Sequence, residues 1–231
     1  MELFRIRIMK NIKEELSMWF NIVPFITVWY FVCYFYNIPF GTKEALWKLP
    51  DVVFILVILK VLFSNWIWRF SILQGWLIKY PDLQGTWEGS LQTNWRNPET
   101  SEIPGPIPMI LVIKQTFNSI NCVMHTQEST SYSNASMLNE DDDSGIQRLS
   151  YNYTNTPDTT IRGRSAIHYG AATLRIVKER NKYTLQGEYW TSRSTAGSIS
   201  LKFRTRELLG AFPEDLIPKK KSETKVTKKS K

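Results

Sequence analysis

Cysteine and histidine are scarce in this 231-residue chain, two of each, and the shortage removes whole classes of function. Cys33 sits in an apolar run and Cys122 in a strand-like one, so the two build no disulfide framework and suit a reducing compartment. His125 and His168 have no neighbours at metal-ligand spacing, so no metal site is expected. Gly-rich phosphate loops, nucleophile motifs and Cys-x-x-Cys pairs are also missing, and Glu88, Glu188 and His168 form no constellation that asks for catalysis. We expect neither an enzyme nor a cofactor. The sequons Asn134-Ala-Ser and Asn152-Tyr-Thr carry no weight for a domain expected inside the cell.

Charge is absent from Leu16 to Thr42, 27 residues, more than the ~20 needed to cross a bilayer. A second run, residues 52 to 68, reads VVFILVILKVLFSNWIW and is broken only by Lys60. The first run is too long for a signal-peptide core and lacks an A-x-A-like site, which makes it an uncleaved anchor. Two transmembrane helices are therefore expected, at about 19–40 and 52–72. Arg5, Arg7, Lys10 and Lys13 precede the first, Lys43 and Lys48 lie between the two, and Arg69 and Lys79 follow. This distribution places both ends in the cytoplasm, with the hairpin turn outside.

Lys60 would lie near the middle of the second span, at a cost of roughly 2.5–3.5 kcal/mol. Ser64 is one turn along the same face, and Thr27, Tyr30, Tyr34 and Asn37 recur at spacings of 3, 4 and 3 in the first run. Two readings fit. The polar stripe packs on Lys60 as an interface or pore lining, or the Lys stem snorkels to the membrane surface.

The formal charge of +8 is unevenly spread. Lys plus Arg number nine against five Asp plus Glu in residues 1–81, 13 against 15 in 82–218, and seven against one in 219–231. The excess thus lies in the anchor and the tail, and a nucleic-acid polymer is not the expected partner. The layout expected is a basic cytoplasmic segment 1–18, a membrane hairpin 19–79, a β domain 80–218 and a disordered basic tail 219–231, the tail held near anionic lipid or merely solubilising.

From Tyr80 onward the apolar runs become short and alternating. Eight strands are expected: 85–95, 107–116, 119–127, 131–138, 145–153, 165–178, 182–191 and 197–206. Trp87, Leu91 and Trp95 share one face against Glu88, Ser90, Gln92 and Asn94, and Ile199, Leu201 and Phe203 oppose Ser200, Lys202 and Arg204. Eight antiparallel strands with one apolar face each, and no helices to cover the other, are best satisfied by closure into a barrel. Such a barrel holds packed side chains or one small ligand. Gly170, Ala171, Ala172 and Gly187 either permit strong coiling or leave interior volume.

The opening Gly85-Thr86-Trp87 resembles the G-x-W signature of lipocalins, in which the Trp closes the barrel base under an Arg of the last strand; the resemblance gives that place to Arg204 or Arg206. A closer resemblance covers nearly the whole chain: two N-terminal apolar segments, then YPDLQGTWEGSL and a β domain ending in SISLKFRTREL. This pattern resembles the two-transmembrane β-barrel effectors associated with CD-NTases in bacterial cyclic-oligonucleotide-based anti-phage signalling (CBASS). The resemblance implies a barrel that senses a cyclic di- or oligonucleotide made by a CD-NTase, oligomerises on activation, and disrupts the inner membrane in which it is anchored.

A cyclic nucleotide asks its receptor for aromatic faces and for cations or N–H groups. Tyr151, Tyr153, Tyr169, Tyr189, Trp190 and Trp95 supply rings, each of which is otherwise core. Arg193, in the hydroxyl-rich stretch Thr191 to Ser198, and Arg164, just ahead of His168, supply cations. His168 and Arg204 complete the ligand-binding candidates. The rival reading is a membrane-tethered lipocalin-like carrier or scaffold, with a Leu, Ile and Phe lining and no use for Arg164 or Arg193.

Overall fold

The computed structural model describes residues 21–75, 78–97, 100–141, 144–180 and 182–217. The expected basic leader 1–18 and the expected tail 219–231 lie outside the described residues. The chain divides into two compact units, Met1–Ile72 and Leu73–Lys231.

The first unit is helical. Residues 21–35 form one helix (α1), Lys43–Leu46 a single turn (α2) and Leu49–Asn65 a third (α3). Thr42 caps α2, its hydroxyl accepting from Ala45 N at 3.3 Å. Trp29 Nε1 donates to the Ala45 carbonyl at 3.0 Å, tying α1 to α2. Pro50 starts α3 where its missing N–H costs nothing. α3 is 17 residues long, begins before and ends well short of the expected 52–72, and passes into 3-10 turns at Ile67–Arg69 and Ser71–Leu73. Among the described residues no helix is long and apolar enough to cross a membrane. Thr27, Tyr30 and Tyr34 are exposed along α1, but Asn37 sits beyond its end in a turn with φ 54°, so the polar stripe is one residue shorter than the spacing suggested. Thr27 Oγ1 donates to its own helix at Val23 O, 2.8 Å. Lys60 is exposed on α3 and Ser64 partly buried.

The second unit is a closed barrel of eight antiparallel strands in sequence order. They are β1 Gly85–Thr93, β2 Ile107–Gln115, β3 Ile120–Thr126, β4 Ser129–Glu140, β5 Gln147–Pro157, β6 His168–Glu179, β7 Lys182–Thr191 and β8 Ala196–Thr205. β8 pairs back onto β1, from Thr86↔Thr205 to Thr93↔Gly197, so no edge is left open. The period of two then sorts side chains. Trp87, Leu91, Leu111, Leu149, Leu174, Leu185, Ile199 and Leu201 meet in one core, as the alternation required.

One end of the barrel is plugged. Trp87, 1% exposed, donates its Nε1 to Leu83 O at 2.9 Å, and Phe203 packs edge-on against it at 5.4 Å. Arg206 lies over Phe203 at 5.6 Å and pairs with Asp82 at 2.8 Å. Of the two arginines named above, Arg206 is therefore the one at the base, and it reaches the tryptophan through Phe203. Gly85 has φ +133°, and a Cβ there would sit 2.5 Å from Thr205 O, so the first residue of the G-x-W signature has to be glycine. Gln115 closes the plug by accepting from Leu83 N at 2.7 Å and donating to Pro81 O at 3.2 Å. Replacing Gln115 by Ala should orphan the buried Leu83 N–H and cost about 1–3 kcal/mol. Urea unfolding should register this as a lower midpoint at unchanged m-value; an unchanged midpoint would remove Gln115 from the plug.

Candidate functional site

The other end of the barrel is open. Loop residues that include Trp95, Pro104, Gln127, Ile161 and Arg193 surround a cavity of about 450 Å³. Its deeper wall is apolar and aromatic, with Leu91, Met124, Ile199, Tyr151, Tyr153 and Tyr189. Its upper wall mixes polar Thr93, Thr126, Ser129, Asn155, His168, Thr191 and Thr195 with apolar Trp95, Pro157, Ile161 and Phe212, and Arg164, Glu128 and Arg193 belong to the rim.

The tyrosines owe their places to glycines. A Cβ on Gly170 would collide with the ring carbon and hydroxyl of Tyr153, and one on Gly197 would come within 2.7 Å of the Tyr189 ring. Gly170 thus makes room for an aromatic side chain. Gly187 instead faces the Thr173 backbone carbonyl too closely for any Cβ, which is strand coiling. Of the alternatives left open by the sequence, coiling holds at Gly187, while the space over Gly170 is not left empty but taken by the Tyr153 ring.

Burial, with the neighbouring Tyr189 phenol, pushes Tyr153 up to about 12. Burial likewise raises Tyr189, against a hydrogen bond with Thr93, and holds Tyr151 well above the ordinary phenol range. The three phenols are therefore neutral hydrogen-bonding groups at neutral pH. Burial also pushes the interior Cys122 thiol up to about 12, which keeps it unreactive. Arg193 Nη1 reaches Ser165 Oγ at 3.1 Å, joining the β7–β8 turn to the β5–β6 loop across the mouth. Arg164 Nη2 is paired with Glu128 Oε1 at 2.6 Å, both largely exposed.

Of the ten ligand-binding candidates, Trp95, Tyr151, Tyr153, Arg164, His168, Tyr189 and Arg193 line this one cavity. Tyr169, Trp190 and Arg204 do not. Neighbours on a strand point to opposite faces, so His168 inward puts Tyr169 outward, and Tyr189 inward puts Trp190 outward. Arg204 is on the outer wall, held by Glu88 at 2.6 Å and Asp215 at 2.9 Å. The hydroxyl-rich stretch around Arg193 supplies Thr191 and Thr195 to the cavity, while the sequence reading missed Thr93, Ser129 and Asn155. Their signal was present: polar residues at the parity of the interior face, above all the alternate serines Ser129, Ser131 and Ser133 of β4.

This geometry agrees with the comparisons. The family described as "Cap15, cyclic dinucleotide receptor domain" matches residues 78–203, which contain the barrel strands up to Phe203. The chain belongs to this family. Among its relatives is the CD-NTase-associated protein 15 of Escherichia albertii, 26% identical over 177 residues, covering 74% of this chain and 87% of the relative. The protein of the same name from Staphylococcus schleiferi is 26% identical over 140 residues, covering 61% and 70%. The Cap15 barrel described above is thus the receptor domain of a CBASS effector.

The two histidines give the Cap15 barrel a specific acid response. Both His125 and His168 have pKa values lowered from 6.5, by burial first. Above that value both are neutral, folded or unfolded. As pH falls through it, the unfolded chain binds protons that the folded chain refuses, so stability declines until the folded pKa values are reached. Urea midpoints should fall between about pH 7.5 and about pH 5.5, and fall less in a His125→Gln/His168→Gln double variant. Equal losses in the two proteins would contradict the burial of neutral imidazoles.

Proposed function

We propose that this chain is a membrane-anchored anti-phage effector whose barrel binds a cyclic nucleotide at the open mouth and whose helical unit then disrupts the bacterial inner membrane. The observation that carries the reading is the cavity itself. Its volume, about 450 Å³, lies in the range that holds one small ligand, roughly 300–1,000 Å³. Tyr151, Tyr153 and Tyr189 offer ring faces below, and Arg193 and Arg164 offer the cations at the rim. Phosphodiesters resist burial without a partner, so the charged ring of the messenger belongs near the arginines and its bases belong below. Binding, with no chemistry on the ligand, is the proposed role. A lipocalin-like carrier would leave the polar residues of the upper wall and Arg193 without purpose.

The membrane part of the reading is supported by composition and exposure. α3 carries Val53, Phe54, Val57, Ile58, Leu59, Val61 and Leu62 exposed, and α1 carries Tyr30, Phe31, Tyr34 and Phe35 exposed. An apolar surface of that kind belongs in lipid or against another protein. In the proposed arrangement the two apolar segments span the bilayer, with the N-terminus and the barrel in the cytoplasm. Ligand-bound chains associate, and Lys60 and Ser64 meet the stripe of Thr27, Tyr30 and Tyr34 within or between subunits.

Two readouts separate the parts of this proposal. Dye leakage from liposomes holding only this protein should begin on adding a cyclic dinucleotide, and Lys60→Leu combined with Tyr30→Leu should suppress it. Calorimetry should give a saturable heat that Arg193→Ala weakens about tenfold, the loss of one charge-assisted hydrogen bond. Binding without leakage would leave a sensor that signals through another membrane protein. Leakage unchanged in the Lys60/Tyr30 variant would remove the stripe from the lesion.

A further inference from the structure

Asn155 and His168 face each other across β5 and β6, both lining the cavity and both buried, at 6% and 9% exposure. Directly opposed residues of an antiparallel pair hold their Cβ atoms about 4.5–5.5 Å apart, so the two side chains are neighbours on the cavity wall. In each, the donors are already used. Asn155 Nδ2 donates to Ser131 Oγ at 2.8 Å and Ser129 Oγ at 3.1 Å, which occupies both amide hydrogens. His168 Nδ1 lies 3.0 Å from the Ala166 carbonyl oxygen, an atom that only accepts, so the proton resides on Nδ1. Burial lowers the pKa of His168, so Nε2 keeps its lone pair at neutral pH.

What remains is Asn155 Oδ1 and His168 Nε2, two acceptors with no hydrogen bond among the described residues and not sealed from solvent. Two neighbouring acceptors repel a phosphate oxygen. They call for a group with two neighbouring donors. Among the nucleobases, guanine presents N1–H beside N2–H₂ on one edge. Adenine offers one amino group flanked by the N1 and N7 lone pairs, cytosine one amino group beside the N3 lone pair, and uracil a single N–H between two carbonyls, so none of the three carries donors on two adjacent positions.

We propose that Asn155 and His168 are the base-reading pair of the cavity, accepting from N1–H and N2–H₂ of a guanine in the cyclic dinucleotide. The assignment rests on the cavity being the messenger site. It makes guanine content, not ring charge, the feature the barrel discriminates, because a base that cannot donate leaves two buried acceptors unpaired.

The test titrates the full chain in detergent with cyclic di-GMP, cyclic di-IMP, cyclic di-AMP and cyclic di-UMP. Cyclic di-GMP should bind about tenfold or more tightly than the adenine and uracil ligands. Cyclic di-IMP keeps N1–H and lacks the N2 amine, and should fall between. That comparison uses the unaltered protein, so it does not depend on a variant folding. Asn155→Leu should bring the ratio of di-GMP to di-AMP affinity close to one. Equal binding of di-IMP and di-GMP, equal or tighter binding of di-AMP or di-UMP, or a ratio untouched by Asn155→Leu would overturn the guanine assignment while leaving the sensor in place. Binding of none of the four would remove the sensor reading, and the assignment with it.

Discussion

The pairing of β8 with β1 is the constraint on which the rest of the barrel depends. Without it the sheet would carry two unpaired edges and a second face to cover, and among the described residues of this unit there is no α-helix to do so. With it, every alternate side chain is committed to a single interior. The register of that seam also explains its glycines. Gly85, Gly89 and Gly197 lie on it, each with a Cβ position already filled by backbone of the partner strand. A larger residue at any of them would push the seam apart and reopen the edge.

Closure alone makes a cylinder with two equivalent ends; the side chains make them different. At the base, Trp87, Leu83 and Gln115 are buried and hydrogen-bonded, and Phe203 packs against the tryptophan. Toward the mouth the interior residues become Tyr151, Tyr153 and Tyr189, then Thr93, Asn155, His168 and Thr191. The transition from hydrocarbon to phenol to amide and hydroxyl runs along the barrel axis. It leaves a graded cavity with Arg193 and Arg164 at the rim, which suits a ligand with aromatic parts and a charged perimeter.

Most of the barrel was legible because period-two alternation is local. Lys182–Thr191 was bounded to the residue, and the parity of Trp87, Leu91 and Trp95 was that of the interior face. The cavity was legible only in part, since ring type and charge say nothing about which way a side chain points. Tyr169 and Trp190 looked as suitable as Tyr153 and Tyr189 until the register of β6 and β7 placed them outside. Asn155 was missed for the opposite reason: an uncharged amide attracts no notice unless its position on the inward face is considered. The helical unit was harder still. Hydropathy gave the length of an apolar run, but the turn at Asn37 and the break at Trp66 depend on backbone geometry.

The central claim is that the messenger lodges among the inward tyrosines at the open mouth. Nuclear magnetic resonance of the full chain with isotope-labelled tyrosine rings, titrated with cyclic GMP–AMP, tests it most directly. The account predicts shifted resonances for Tyr151, Tyr153 and Tyr189 and unchanged ones for Tyr132 on the outer wall. Saturable binding that moves Tyr132 and leaves the three interior rings untouched would contradict it.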